Sequence, residues 1–505
     1  MNIKEILRKK IIKEVLTLYK ADWSVLVYDK TAGEIMIDLF TKSELNDYSI
    51  SEAFLINANK PEWDFPAVYF ILGTKANYDQ INEEFDNKTF SKYTVIILDL
   101  IDDYNGYLNE IIKTTVLSCN LNVLEERIFT CEYKNVIKSL EFVLDTTFTI
   151  YKMPCIKQLP PFTETGKNDN PSDFLILERS FDLFTPLIHF FTFKSILSEI
   201  YPDTDLDDHY KLYKEIRYRH MAEIHKILQY NINKLNKNME QLDKKLSTTE
   251  LSKMVLDAPD NIKMKESIEK YSNYLRDAFT RLEYLQETLS DDKNFNCLIE
   301  AELILATGNK EGNRVSIDLS LLFDLLASTQ LQRPDKLRLL YLIKFRGLGL
   351  TVTERSILKQ SGFSSEDIDC KLDLSNKYKR AMEKEYKYEI SRFEPFLTDI
   401  INDAMMGDFK SFLIKANNLD FSKKAEEVFS LRKTKMLTIK KKSVNRRKIV
   451  IYIKNGMTVE ECRLAYDLSE ALGIELFLGS DKMLKPTEIL ETIKNEYAVK
   501  QNEKI

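Results

Sequence analysis

Short apolar runs bounded by polar turns constrain this chain most. Residues 23–29 (WSVLVYD), 67–73 (AVYFILG) and 94–100 (TVIILDL) are shorter than an ordinary helix and apolar at nearly every position. A strand of that composition is buried on both faces, as in a parallel sheet covered by helices. Residues 174–178 (FLILE), 448–453 (KIVIYI) and 474–479 (IELFLG) repeat the style much later. Ahead of them all, Ile3, Leu7, Ile11, Val15 and Leu18 fall at helical spacing and predict one apolar face.

Between the two groups the pattern changes. From about residue 210 to 412 it is almost wholly helical and rich in Lys and Glu. Met264, Ile268, Tyr271, Leu275, Phe279, Leu282, Leu285 and Leu289 step by three or four, which predicts a long amphipathic helix. Pro259, Pro334 and Pro395 mark expected ends or kinks. The fold class that follows is α/β plus α: two parallel-sheet α/β domains with a large, mainly helical domain inserted into the second. The expected boundaries are residues 1–122 for the N-terminal α/β domain, 123–229 and 441–505 for the two parts of the second, and 230–440 for the insertion. Such an insertion is easy where its two ends lie close together.

Composition narrows the function. A length of 505 residues suits two or three domains, and 44% hydrophobic with 30% charged residues is the balance of a folded chain. The net charge of −6 gives no global field toward nucleic acid. No apolar stretch approaches the roughly 20 residues of a membrane span, and lysines thread the N-terminal helix, so neither a span nor a signal peptide is expected. Six cysteines scattered singly fit reduced thiols and a cytoplasmic location. Residues 428–459 hold ten Lys or Arg and no acid: a solvated linker, or across 432–448 a weak contact with anionic lipid.

Chemistry is hard to find. His220 and His225 sit five apart, which separates them by about 140° on a helix, so they cannot chelate one ion together. Asp203, Asp205 and Asp207 alternate like a calcium loop, but Asp208 and Lys214 stand where Gly and Glu are needed. GxxxxGK[ST], GxGxxG and GxSxG are all missing. No catalytic residue, cofactor or metal is expected, and the chain does not read as an enzyme.

Two motifs carry a resemblance. Residues 174–201 read FLILERSFDLFTPLIHFFTFKSILSEIY, and residues 455–493 read NGMTVEECRLAYDLSEALGIELFLGSDKMLKPTEILETI. The first resembles the signature of the Sec/Munc (SM) family of SNARE-binding proteins through Arg179, Asp182, Pro186 and His189, with Glu178 where the family usually has Asp. The second resembles the family's closing helix and strand through Gly456, Arg463, Tyr466, Gly479 and Pro486. On the residues alone, Asp182 reads as a turn that binds backbone N–H groups, with Arg179 paired nearby.

The resemblance implies an arch-shaped molecule whose first domain faces the helical domain across a cleft that grips a syntaxin-like SNARE. It also implies a role in templating the assembled SNARE bundle, a monomer recruited to membranes through its partners, and service in exocytosis rather than at Golgi or endosomal membranes. Asp29 and Asn57 match cleft-facing positions. Glu34 and Thr41 stand where relatives have basic contacts, and Phe54 replaces a carboxylate, so the charge pairs are rewritten. Asp29 reads equally well as a cap at a strand end. Leu108 and Ile111 align with a pocket for a SNARE N-terminal peptide, followed by a shortened helix over residues 113–120. Residues 339–367 resemble a SNARE-templating hairpin, with Leu348, Leu350, Leu358 and Phe363 as its apolar positions and Gly347, Gly349 and Gly362 as hinge points.

Overall fold

The computed structural model describes residues 2–18, 23–61, 63–100, 108, 112–160, 172–202, 204, 211–240, 248–287, 297–310, 313–314, 319–371, 393–409, 412–416 and 448–497. Ile111, Leu289, the Asp203, Asp205 and Asp207 run and most of the basic stretch (residues 432–447) lie outside them. Grouped by contact, the chain forms two compact units. The first comprises Met1–Leu177, Phe409–Lys454 and Ala465–Lys482; the second comprises Glu178–Asp408, Asn455–Leu464 and Met483–Ile505.

The first unit holds both sheets. Strands β1 (Ser24–Tyr28), β2 (Ile50–Leu55), β3 (Trp63–Gly73), β4 (Phe90–Leu100) and β5 (Lys113–Val116) run parallel in the order β2-β1-β3-β4-β5. Val25, Val27, Tyr69, Ile71, Val95 and Ile97 are buried in one cluster, and the alternate residues Leu26, Val68, Phe70 and Ile96 are buried too. That two-sided burial is why the runs carry no polar alternation. Residues 113–116 form an edge strand where a helix was expected. Thr114, Thr115 and Val116 are branched at Cβ and pair with Val95, Ile96 and Ile97, a context that favours extended backbone.

The second sheet takes strands from distant parts of the chain. Strands β6 (Asn122–Glu125), β7 (Ile128–Thr130), β8 (Thr149–Lys152) and β9 (Ser172–Glu178) precede the helical stretch. There β10 (Asn309–Lys310) and β11 (Asn313–Arg314) form a short ladder. After it come β12 (Ile414–Lys415), β13 (Lys448–Lys454) and β14 (Glu475–Ser480), giving the order β12-β8-β9-β13-β14-β7-β6. The interior pairs β8/β9, β13/β14 and β14/β7 are parallel, while the edge pairs β12/β8 and β6/β7 are antiparallel.

An N-terminal helix, Ile3–Ile11, ties the two halves of this unit together. Asn2 caps it, and Ile3, Leu7 and Ile11 are buried. Its Lys4 and Arg8 reach Asp38 and Glu44, while Lys10 pairs with Asp145 and the Ile3 N–H bonds the Glu126 carbonyl. The apolar face then departs from the expected spacing: Leu16 is buried and Leu18 is partly exposed. Residues Ile12–Leu16 form a π-helical turn, whose extra residue per hydrogen-bonded ring rotates the face.

Among its described residues the regular structure of the second unit is helical apart from the short β10/β11 ladder. Helix Met221–Glu240 packs on helix Thr248–Gln286, with Ile224, Leu228, Ile268, Tyr271, Leu275 and Leu282 in one buried cluster. Pro259 lies inside the long helix, so it does not end it, and Ala278 is buried where Phe279 was expected. The other two prolines mark helix starts as expected: Pro334 in the first turn of helix Arg333–Phe345 and Pro395 just before helix Leu397–Met406. Among the described residues no helix is long and apolar enough to cross a membrane. The cysteines are free thiols, and burial pushes Cys119 up to about 12.

Gly479 shows how closely β14 is packed. A Cβ there would lie 2.1 Å from the Phe129 ring on β7. Gly479→Ala is therefore expected to cost about 2 kcal/mol, measured as a lower denaturant midpoint with an unchanged slope.

Candidate functional site

The signature motif builds a buried polar knot. Arg179 is the residue after β9, and its five N–H donors are all engaged. Nε and Nη2 donate to the Asp182 carbonyl at 3.0 and 2.7 Å, Nη1 reaches the Gly456 carbonyl at 3.4 Å, and Nη1 and Nη2 meet Glu461 in a two-pronged pair at 2.8 Å each. Phe181 stacks under the guanidinium at 4.7 Å. Glu461 also accepts the Thr458 N–H and hydroxyl, capping the start of helix Val459–Leu472. In doubly wound sheets this spot, a helix start after a parallel strand, is where bound anions sit. Here the protein's own carboxylate fills it.

Asp182 forms the turn. One oxygen accepts the Phe184 and Thr185 N–H groups at 3.0 Å each. The other accepts the Thr185 hydroxyl at 2.5 Å and the Phe396 N–H at 3.0 Å, which fixes the entry to helix Leu397–Met406. Pro186 is buried within the same motif, and Pro486 opens helix Pro486–Tyr497. Gly456 takes φ +103 beneath Leu484. Arg463 pairs with Glu460 at 2.5 Å, and Tyr466 lies under Arg127 at 5.9 Å. These residues hold the fold together; none presents a reactive group. His220 bonds the Ala222 N–H at the start of its helix, while His225 faces solvent.

A second buried cluster was invisible in the sequence apart from His189. Its Nδ1 lies 2.8 Å from Glu302, and its Nε2 lies 3.4 Å from both Glu199 and Asp335. Arg281 pairs with Asp335 at 2.9 Å and Arg338 with Glu199 at 3.0 Å. The partners come from four separate segments, so spacing gives no signal. Three carboxylates against two guanidiniums leave one negative charge, which the protonated imidazole neutralises. Burial disfavours that charge, but Glu199 and Glu302 outweigh it and raise His189 to about 9. Asp335 and Glu199 are held below the usual carboxylate range by the same pairings, against the pull of burial.

The expected cleft positions lie on and beside the first sheet. Asp29 follows β1 and is largely buried. It accepts the Ala32 N–H at 2.9 Å, capping helix Lys30–Leu39, the Leu72 N–H at 2.6 Å and the Asn77 amide at 2.9 Å. It therefore fixes the helix against the ends of β1 and β3. Glu34 and Ile37 then fall at i and i+3 on that helix, Glu34 exposed and Ile37 76% exposed, while the exposed Thr41 lies past its end. Thr41 also caps helix Lys42–Asp47 in a reciprocal box with Glu44, whose carboxyl Arg8 holds down at about 2. On β2, Phe54 packs inward against the sheet core, while Leu55 is 50% exposed and Asn57 is exposed just beyond. Ile37 and Leu55 are exposed apolar residues that no charge pattern marks in the sequence. Leu108 packs half-buried against the same core.

The hairpin region is folded down in the second unit. Leu358 and Phe363 are buried, and Leu348 and Leu350 are half-buried. Helix Val352–Gln360 lies between Gly347 and Gly362, both at positive φ; Gly349 is not.

Two stability measurements test this chemistry. Arg179→Ala strands Glu461 in the interior and is expected to cost about 3–5 kcal/mol, read by denaturant unfolding. For His189 the folded value lies above its ordinary one of about 6.5. Its contribution, about 3 kcal/mol, is thus complete below pH 6.5 or so and vanishes as pH climbs through about 9. Unfolding free energies of the native chain and His189→Gln should converge over that interval; a constant gap between them would show that the imidazole carries no charge.

Known proteins supply the remaining comparison. A model of the Sec1 family matches residues 24–492. The protein transport protein sec1 of Schizosaccharomyces pombe is 23% identical over 93% of this chain and 81% of its own. The protein of the same name from Dictyostelium discoideum is 20% identical over 98% of this chain and all of its own. Among solved structures, the Unc18–syntaxin 1 complex from Monosiga brevicollis superposes with a TM-score of 0.72 at 17% identity, covering 98% of this chain and 99% of that one. The SM protein Vps45 in complex with the Qa SNARE Tlg2 gives 0.71 at 13% identity, covering 98% of each chain. Those likenesses concern the fold, two parallel-centred sheets with a large helical part. Since one family's model runs through the signature knot, both sheets and the helical unit, this chain belongs to the Sec1 family, the Sec/Munc group to which residues 174–201 and 455–493 pointed.

Proposed function

We propose that this chain is a non-enzymatic regulator of vesicle fusion that binds a syntaxin-like SNARE and assists assembly of the SNARE bundle, and that it serves exocytosis. Family membership supports the partner class, since solved relatives are held with syntaxin 1 and with a Qa SNARE. Two relatives that align over most of the chain are both called protein transport protein sec1, which supports a role in protein transport. Glu461 occupying the would-be anion site supports binding rather than catalysis.

The observation that carries the reading is a set of exposed positions in the first unit: Glu34 and Ile37 on helix Lys30–Leu39, Thr41 just past it, and Leu55 and Asn57 at the end of β2. Asp29 and the Thr41–Glu44 box hold its backbone rigid, and two of its members are apolar and at least half exposed. A rigid platform with apolar anchors and a polar rim suits a partner helix, because little ordering cost is incurred on binding. The folded-down segment, residues 348–363, then serves the assembled bundle by moving when a partner binds.

Titration with the cytosolic domains of the same organism's syntaxin-like proteins tests this directly. At least one is expected to bind in the micromolar range or tighter. Ile37→Asp should weaken it at least tenfold, about 1.4 kcal/mol or more, with no change in melting temperature. No binding by any of them at micromolar concentration would remove the proposal. Hydrogen exchange over residues 348–363 should rise when the SNARE is added, and equal protection in both states would count against the movement.

A further inference from the structure

The turn that follows β2 hides its one cation. Over residues 55–61, Leu55, Asn57, Ala58, Asn59 and Pro61 are exposed, yet the Lys60 side chain is only 2% exposed. Its ammonium points inward and meets three acceptors, one for each N–H. They are the Ile56 carbonyl at 2.5 Å, a Glu84 carboxylate oxygen at 2.6 Å and the Ala58 carbonyl at 3.4 Å. Two of these are the carbonyls on either side of Asn57. The Ala58 N–H bonds the Leu55 carbonyl at 3.0 Å, and the Ile56 N–H bonds the Tyr28 carbonyl at 2.8 Å. Lys60 therefore grips the turn from beneath.

Glu84 is itself held in place. It is buried on helix Lys75–Asp86, where the Tyr69 hydroxyl donates to Oε2 at 2.6 Å and the Gln80 amide to Oε1 at 3.2 Å. Its carbonyl accepts the Tyr93 hydroxyl at 2.7 Å, and the Tyr69 and Tyr93 rings stack at 6.0 Å. Burial and the adjacent Glu84 charge push the Tyr69 hydroxyl far above its ordinary value, so it remains a donor. Strands β3 and β4 and this helix thus fix one carboxylate, and that carboxylate fixes Lys60. A buried charge is tolerable only with its partners in place, so the turn is held to one shape. Turning the cation inward also leaves residues 55–61 without charge toward solvent: apolar groups and two side-chain amides are what a partner would meet.

We propose that Lys60 is a positioning residue for partner binding: it shapes residues 55–59 from within, so that Leu55 and Asn57 meet an uncharged strip of a partner helix, and it does not touch that partner itself. The positioning role rests on the proposed SNARE function, whereas the grip on the turn does not. Two measurements on the full chain separate them. Without any partner, Lys60→Met should speed exchange of the Ile56 and Ala58 amides about tenfold, while residues 68–71 of β3 keep their native protection. With a syntaxin-like cytosolic domain that the native chain binds, the same variant should lose about tenfold in affinity, by an equal factor at low and high salt, because no ion pair across the interface is lost. Unchanged exchange in the turn overturns the inference, as does equal loss of protection over residues 68–71, which would mean general loosening. Faster turn exchange with native affinity overturns the positioning role. So does an affinity loss that shrinks as salt is added, since Lys60 would then be meeting a carboxylate of the partner. Should Lys60→Met fail to fold, combining it with Glu84→Gln leaves no charge alone in the interior, and the double variant takes its place in each comparison. A native chain that binds no SNARE removes the proposed function and the positioning role together, while exchange still decides the grip.

Discussion

The pairing of Arg179 with Glu461 joins positions 282 residues apart in the interior of the protein. Removing two charges from water is costly, and only the full set of hydrogen bonds around both groups makes the pair tolerable. Once that set is satisfied, the sequence around each partner has little freedom. Arg179 needs the Asp182 carbonyl, Asp182 needs the turn to Thr185, and Glu461 needs Thr458 three residues before it. The motif that identifies the family is thus the footprint of one buried ion pair and of the turns that serve it.

The same pair occupies a position that many α/β folds use differently. Many α/β folds leave a helix start open beyond a strand and place a phosphate there. This chain closes that position with Glu461 and the guanidinium of Arg179.

Much of the fold was legible because burial on both faces leaves an unmistakable mark. The interior runs at 23–29, 67–73, 94–100, 174–178, 448–453 and 474–479 all became strands. The edge strands did not announce themselves: ISEAFL and KTTV mix polar and apolar residues because one side or both meet water. Helix phase failed at Leu18 for a local reason, the π turn, that no periodicity rule contains. The candidate site was less legible. Asp29, Thr41 and Phe54 turn out to spend their side chains on caps and core packing, while Ile37 and Leu55 carry the exposed apolar surface. The His189 cluster draws on residues from 189 to 338, and only three-dimensional proximity assembles it.

The strand order of the second sheet has a consequence for how the molecule comes into being. Its two middle strands, β13 and β14, are translated last, after the entire helical region. Until they leave the ribosome, β9 and β7 each lack a neighbour and display apolar rims that invite pairing with foreign chains. A nascent polypeptide of this kind must be shielded through most of its synthesis. A premature stop codon before residue 475 would therefore yield a sticky, unfinished sheet that lacks β14.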